Sequence, residues 1–325
     1  MAEQLKPGWS KPSSILFATE IPTNDKAFAF ALAQASEFAA KLVLFHAFDR
    51  LAAAEGDDPS GSGELGARYY DQNIAEKLEK HHLEALAKRV RDAGVDCEVV
   101  VRQGQPAEEI LAFTQEHEID RIAMGTRAPG AIGKLLVGSV AEAVLRAASV
   151  PVFVVGPGVV DAHYRKFATR TILCAVRMEQ DSSGVAAFAA ELAAQHGARL
   201  ILQHVIRPQE RAEVMAAQSL DDLEAEMMAL VPEKLLGRIT TQTVVVPGDP
   251  TEELLYQSRM QQADLIVLGA HGASTFAAAT RHGVVYKVLA HAECPVITLS
   301  PVVLTGSEAK PERLQLRETY SGGVF

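Results

Sequence analysis

Apolar residues gather in short unbroken runs, separated by longer stretches with helical spacing. The runs include Ile15-Leu16-Phe17-Ala18, Leu42-Val43-Leu44-Phe45, Ile122-Ala123-Met124 and Val152-Phe153-Val154-Val155. Each is too short for a helix and lacks polar alternation, the pattern of a strand buried on both faces. Between them, residues 24–40 place Ala27, Phe28, Ala31, Leu32, Ala35, Phe38 and Ala39 along one helical face. Residues 69–93 repeat Ile74, Leu78, Leu86 and Val90 at multiples of four, with His82 standing where an apolar residue belongs. A third helix is expected from Pro106, whose fixed φ suits a first turn, to about residue 117. A fourth starts near Ser139. Strand and helix alternate, which predicts an α/β fold with a five-stranded parallel sheet covered on both faces.

The pattern then occurs a second time. Ile15-Leu-Phe-Ala-Thr19-Glu20 matches Ile172-Leu-Cys-Ala-Val176-Arg177, and Leu42 to His46 matches Leu200 to His204. Asp120 to Gly125 matches Asp264 to Gly269, and Val150-Pro-Val matches Cys294-Pro-Val. His46 lies 158 residues before its counterpart and Gly125 lies 144 before its own, so the first half carries 14 more residues between them. That interval holds a Gly/Ser/Asp-rich stretch, residues 52–64, with little to bury. Two homologous domains are therefore expected, residues 13–157 and 168–301, joined by a short linker and followed by a polar tail, 302–325.

Composition narrows the partners. The chain of 325 residues has 48% hydrophobic residues and a net charge of −10. Its acidity argues against nucleic acid or an anionic membrane surface as a general partner. No apolar run approaches the ~18 residues that would span a bilayer. The first residues show no apolar leader, and three scattered cysteines, Cys97, Cys174 and Cys294, suit a reducing compartment. The expected location is the cytoplasm.

Candidate chemistry concentrates in Gly125-Thr-Arg-Ala128-Pro-Gly130-Ala-Ile-Gly133-Lys-Leu-Leu-Val-Gly138-Ser139. A loop of small residues between a strand's carboxyl end and a helix start can turn backbone N–H groups and a positive helix end toward an anion. In open α/β sheets, ligands bind where strand order reverses, so the loops after the first and fourth strands should meet. That brings Ala18, Thr19 and Glu20 together with Met124, Gly125, Ala128, Gly138 and Ser139. A carboxylate at a strand end can accept from ribose hydroxyls while the glycine loop takes phosphates.

These residues resemble the universal stress protein family, in its tandem two-domain form, over about residues 14–156 and 169–300. The family loop reads Gly, two residues, Gly, nine residues, Gly, Ser or Thr; here Gly125, Ala128 and Gly138-Ser139 match it, with alanine at the second glycine. The resemblance implies a stress-response protein that binds ATP in its first domain, with magnesium as the ion that could accompany it. It implies that Glu20 takes the place of a ribose-binding aspartate. Ala18 and Ala47 would line the adenine pocket through main-chain groups, flanked by Met124 and Val140. It also implies pairing of the domains through their fifth strands into an internal pseudo-dimer. Association with a second chain, or with other family members and signalling proteins, is left open. In the second copy, Gly269 and Gly272 remain, but His282-Gly283 replaces Gly-Ser and Arg177 replaces Glu20. No ATP site of the family kind is expected there.

Plainer readings stand beside these. Ser139 and Glu142 spell a capping box, so Ser139 could serve only the helix. Glu20 could be a solvated loop acid. His46 and His204, matched at strand ends, read as hydrogen-bonded structural histidines and not as catalysts, and a zinc site from His271, His282 and Cys294 lacks a close-spaced pair. Gly133-Lys134 is not a P-loop, and neither a nucleophile elbow nor a His-Glu-x-x-His helix occurs. The expected role is binding and signalling or protection. The alternatives are a scaffold or small-ligand or lipid carrier without a nucleotide site, and a slow ATPase.

Overall fold

In the computed structural model, which describes residues 9–21, 23–48, 72–126, 137–160, 169–178, 182–269 and 283–305, the described strands form one ten-stranded sheet. The first half runs β1 (Ser14–Ala18), α1 (Asp25–Phe38), β2 (Lys41–Phe48), α2 (Gln72–Asp92), β3 (Cys97–Gln103), α3 (Pro106–Glu116), β4 (Arg121–Gly125), α4 (Ser139–Ala147) and β5 (Val152–Val155). The second runs β6 (Thr171–Ala175), α5 (Ser182–His196), β7 (Arg199–Ile206), α6 (Arg211–Ala217), α7 (Leu220–Ala229), β8 (Thr241–Pro247), α8 (Pro250–Met260), β9 (Leu265–Gly269), α9 (Val284–His291), β10 (Val296–Leu299) and α10 (Pro301–Thr305). Strand order is β3-β2-β1-β4-β5-β10-β9-β6-β7-β8. Within each half all pairings are parallel, and order reverses between β1 and β4 and between β6 and β9.

Alternation along the strands divides the core into two layers. Ile15 and Phe17 face α1 and α2, whereas Leu16 and Ala18 face α3 and α4. The helix faces follow the sequence pattern: Ala27, Phe28, Ala31 and Ala35 are buried on α1, and Leu86 and Val90 on α2. Asn24 starts α1 by accepting from Ala27 N–H through Oδ1 at 3.1 Å. Between β7 and β8 the second half has α6 and α7, where Ser219 and Asp222 form a capping box that begins a new helix; among the described residues, α2 lies in the matching interval of the first half.

The fifth strands join the halves. Strand β10 runs antiparallel to β5, pairing Val296 with Val154, Ile297 with Phe153 and Thr298 with Val152. Each strand thereby covers the other's open edge. Equivalent positions meet across this seam with unlike chemistry. Phe38 of α1 meets the ring of His196 of α5 edge-on at 5.6 Å, and His196 Nδ1 lies 2.9 Å from Glu37 Oε1. On the other layer, Tyr286 is buried near Glu142 and Arg146; burial, reinforced by the charge of Glu142, pushes its phenol up to about 12.

Close backbone approach at the seam requires Gly156, where an added Cβ would sit 2.1 Å from Leu289 O. Gly156→Ala is therefore expected to cost about 1–3 kcal/mol through overpacking. A lower urea midpoint is the expected reading, and an unchanged one would show that the seam opens freely.

All three cysteines are free thiols. Burial is the main cause that pushes Cys97 up to about 11, and it raises Cys174 and Cys294 further. The fold thus holds these thiols neutral at pH values where the unfolded chain, near 9.0, releases their protons. The neutral thiol favours the fold, and stability is lost as pH climbs from about 9 toward 11. Native protein at pH 8 should resist iodoacetamide, while urea-unfolded chain should take three equivalents; rapid native labelling would contradict this.

Candidate functional site

A cleft of about 320 Å³ opens at the carboxyl ends of β1 and β4, where strand order reverses. Ala18, Thr19 and Glu20 line it from the end of β1, and Ala47 from β2. Met124 and Gly125 line it from β4, and Gly138, Ser139 and Val140 from the start of α4. Among the described residues, the structure brings every one named for the nucleotide site to this cleft. Ala128 lies outside the described residues. The cleft also takes walls the sequence did not announce: Asn24 before α1, and Pro106 and Ile110 of α3.

Local chemistry explains each position. A Cβ at Gly125 would fall 2.5 Å from Asn24 Nδ2, so a larger residue there would displace the side chain that starts α1. Gly138 takes φ 92°, a left-handed backbone that favours glycine, and precedes α4 as its N-cap. Among the described residues, a Cβ there would have no atom within 4 Å. The N-cap is Gly138, which has no side chain to cap α4, and this corrects the capping-box reading. Ser139 is the first helical residue, one place too late to cap, and Glu142 accepts from Arg146 at 2.9 Å instead. The exposed Ser139 and the first turn of α4 are thus left to the cleft, at the positive end of the helix dipole.

His46 Nδ1–H donates to Thr19 O at 2.9 Å, and His204 Nδ1–H donates to Val176 O at 3.1 Å. The matched pair has the structural role expected of strand-end histidines.

The second half is built differently at the corresponding place. Exposed Arg177 follows β6, and α9 begins at Val284 after Gly283, whose φ of −60° is ordinary for any residue. The counterpart of Gly138, His282, lies outside the described residues, as do His271 and Gly272. Among the described residues, no group of three His, Cys, Asp or Glu side chains is placed to hold a metal, and no helix is long and apolar enough to cross a membrane.

Fold and cleft define a doubly wound α/β protein made of two like halves, with a ligand-sized opening at the strand-order switch of the first. The family model described as the universal stress protein family matches residues 13–156 and again 168–300, and the chain belongs to that family. A universal stress protein of Methanocaldococcus jannaschii is 34% identical over 140 residues, covering 42% of this chain and 79% of its own length. One from Mycolicibacterium smegmatis is 25% identical over 243 residues, covering 70% of this chain and 78% of its own. Among solved structures, a universal stress protein from Archaeoglobus fulgidus superimposes with a TM-score of 0.68 at 20% identity, covering 90% of this chain and 97% of that one. The structural likeness extends across both halves and concerns the fold.

Proposed function

We propose that the first half binds an adenine nucleotide, ATP in the first instance, and that the protein acts in a cytoplasmic stress response by binding rather than by turnover. The observation that carries this reading is the start of α4 with a left-handed Gly138 at its N-cap, in one cleft with Glu20. A helix start without a side-chain acceptor favours an anion, and a carboxylate at a strand end suits ribose hydroxyls. Met124, Val140 and Ile110 offer apolar surface for a purine. The volume of about 320 Å³ lies at the small end of ligand sites, which run from about 300 to 1,000 Å³. The nucleoside would occupy the cleft, with the phosphates directed to α4. Magnesium would enter with the triphosphate. In the second half, the exchange of Glu20 for Arg177 opposes the same ligand.

Titration calorimetry of the full chain with ATP tests this. One site per chain is expected, with a raised melting temperature as mass action requires. No heat and no shift at millimolar ATP would overturn the reading and favour a scaffold or carrier role.

A further inference from the structure

The residue before Glu20 has its backbone and side-chain polar groups tied, and one of those ties reaches a helix on the far side of the turn. Thr19 N–H donates to Phe45 O at 3.0 Å, which carries the β1–β2 ladder one step past the strand. Thr19 O accepts from His46 Nδ1–H at 2.9 Å. The Thr19 hydroxyl donates to Glu20 O at 2.9 Å and lies 3.3 Å from Thr23 Oγ1. Thr23 Oγ1 in turn lies 3.3 Å from His82 Nε2 on α2.

The direction of this chain follows from its end. A carbonyl only accepts, so Thr19 spends its single proton on Glu20 O. Thr23 must then donate to Thr19, which leaves Thr23 to accept from His82 Nε2–H. The relay needs a donor at position 82, not a charge. Together these bonds hold the main chain on both sides of the Glu20 Cα.

The second half supplies an internal comparison. Val176 N–H donates to Gln203 O at 2.9 Å, and Val176 O accepts from His204, so the two backbone ties are kept. Valine has no hydroxyl, so the third tie cannot form. The ties shared by both halves belong to the fold. The extra one occurs only where a carboxylate, not Arg177, follows the strand. It also accounts for His82, the polar residue that interrupts the apolar repeat of α2.

We infer that His82 and Thr23 are positioning residues for the ribose end of the site: they hold Glu20 where it can accept from the ribose hydroxyls. This rests on the adenine-nucleotide reading, and the test separates the two. Affinities of the full chain for ATP and for 2′,3′-dideoxy-ATP are measured by calorimetry for wild type, His82→Ala, Thr23→Val and His82→Gln. Wild type should prefer ATP. His82→Ala and Thr23→Val should weaken ATP by about three- to tenfold, the effect of one hydrogen bond, and leave the dideoxy ligand unchanged. His82→Gln, whose amide N–H can replace the lost donor, should restore ATP binding. Equal weakening of both ligands, no weakening, or a wild type that binds both alike overturns the positioning role while the nucleotide reading stands. A wild type that binds neither ends both.

Discussion

Replacing Arg121 with alanine is expected to cost about 3–5 kcal/mol of stability, the largest single effect in the molecule. Arg121 opens β4, yet it is 1% exposed. Its guanidinium donates through Nε to Trp9 O at 2.8 Å, and through its two terminal nitrogens to Gln34 Oε1 at 2.7 Å and Ser10 O at 2.6 Å. The rings of Phe38 and Phe153 lie 4.8 Å from its carbon centre. Truncation would leave buried acceptors without donors and open a cavity between two aromatic rings. Burial draws the Arg121 pKa down to about 9, against the opposing pull of Glu37 and Asp120, so the group stays charged at neutral pH. Chemical denaturation of Arg121→Ala beside wild type checks this. Arg121→Lys should lie between them, because an ammonium cannot present the forked donors. A loss below about 1 kcal/mol for the alanine variant would mean that water replaces the guanidinium.

The second large effect is expected on the ligand, not the fold. Gly138→Val places a branched side chain at φ 92°, where only glycine is at ease, and does so at the mouth of α4. Strain of about 1–3 kcal/mol must be relieved by moving the backbone that is meant to face the phosphates. Loss of ATP affinity by about ten- to a hundredfold follows if that shift is spent at the site. The fold should survive, since among the described residues the new Cβ meets no atom within 4 Å. Parallel melting curves with and without ATP separate the outcomes. Retained ligand-induced stabilisation would show that the ligand does not approach Gly138.

Much of this architecture is legible in the sequence because its determinants are local. Runs such as Leu42 to Phe45 can only be buried strands, and the repeated order of elements announces two halves. The cleft was likewise legible where its residues sit in short segments, 18–20, 124–125 and 138–140. What escaped depends on contacts distant in sequence. Arg121 reads as the polar start of a strand, because its partners Trp9 and Ser10 lie 112 and 111 residues away. Pro106 and Ile110 reach the cleft only through the way α3 crosses the sheet. Ser139 spells a capping box, but a glycine in left-handed backbone starts the helix one residue early and leaves the serine inside it. His82 did leave a trace, as a break in the apolar repeat of α2, although only the folded turn shows what it holds.

The most direct measurement is a crystal structure grown with excess ATP. Ligand density is expected in the first half, with the phosphates against the start of α4 and the ribose at Glu20, and none bound that way in the second. Density in the second half beside an empty first would contradict it.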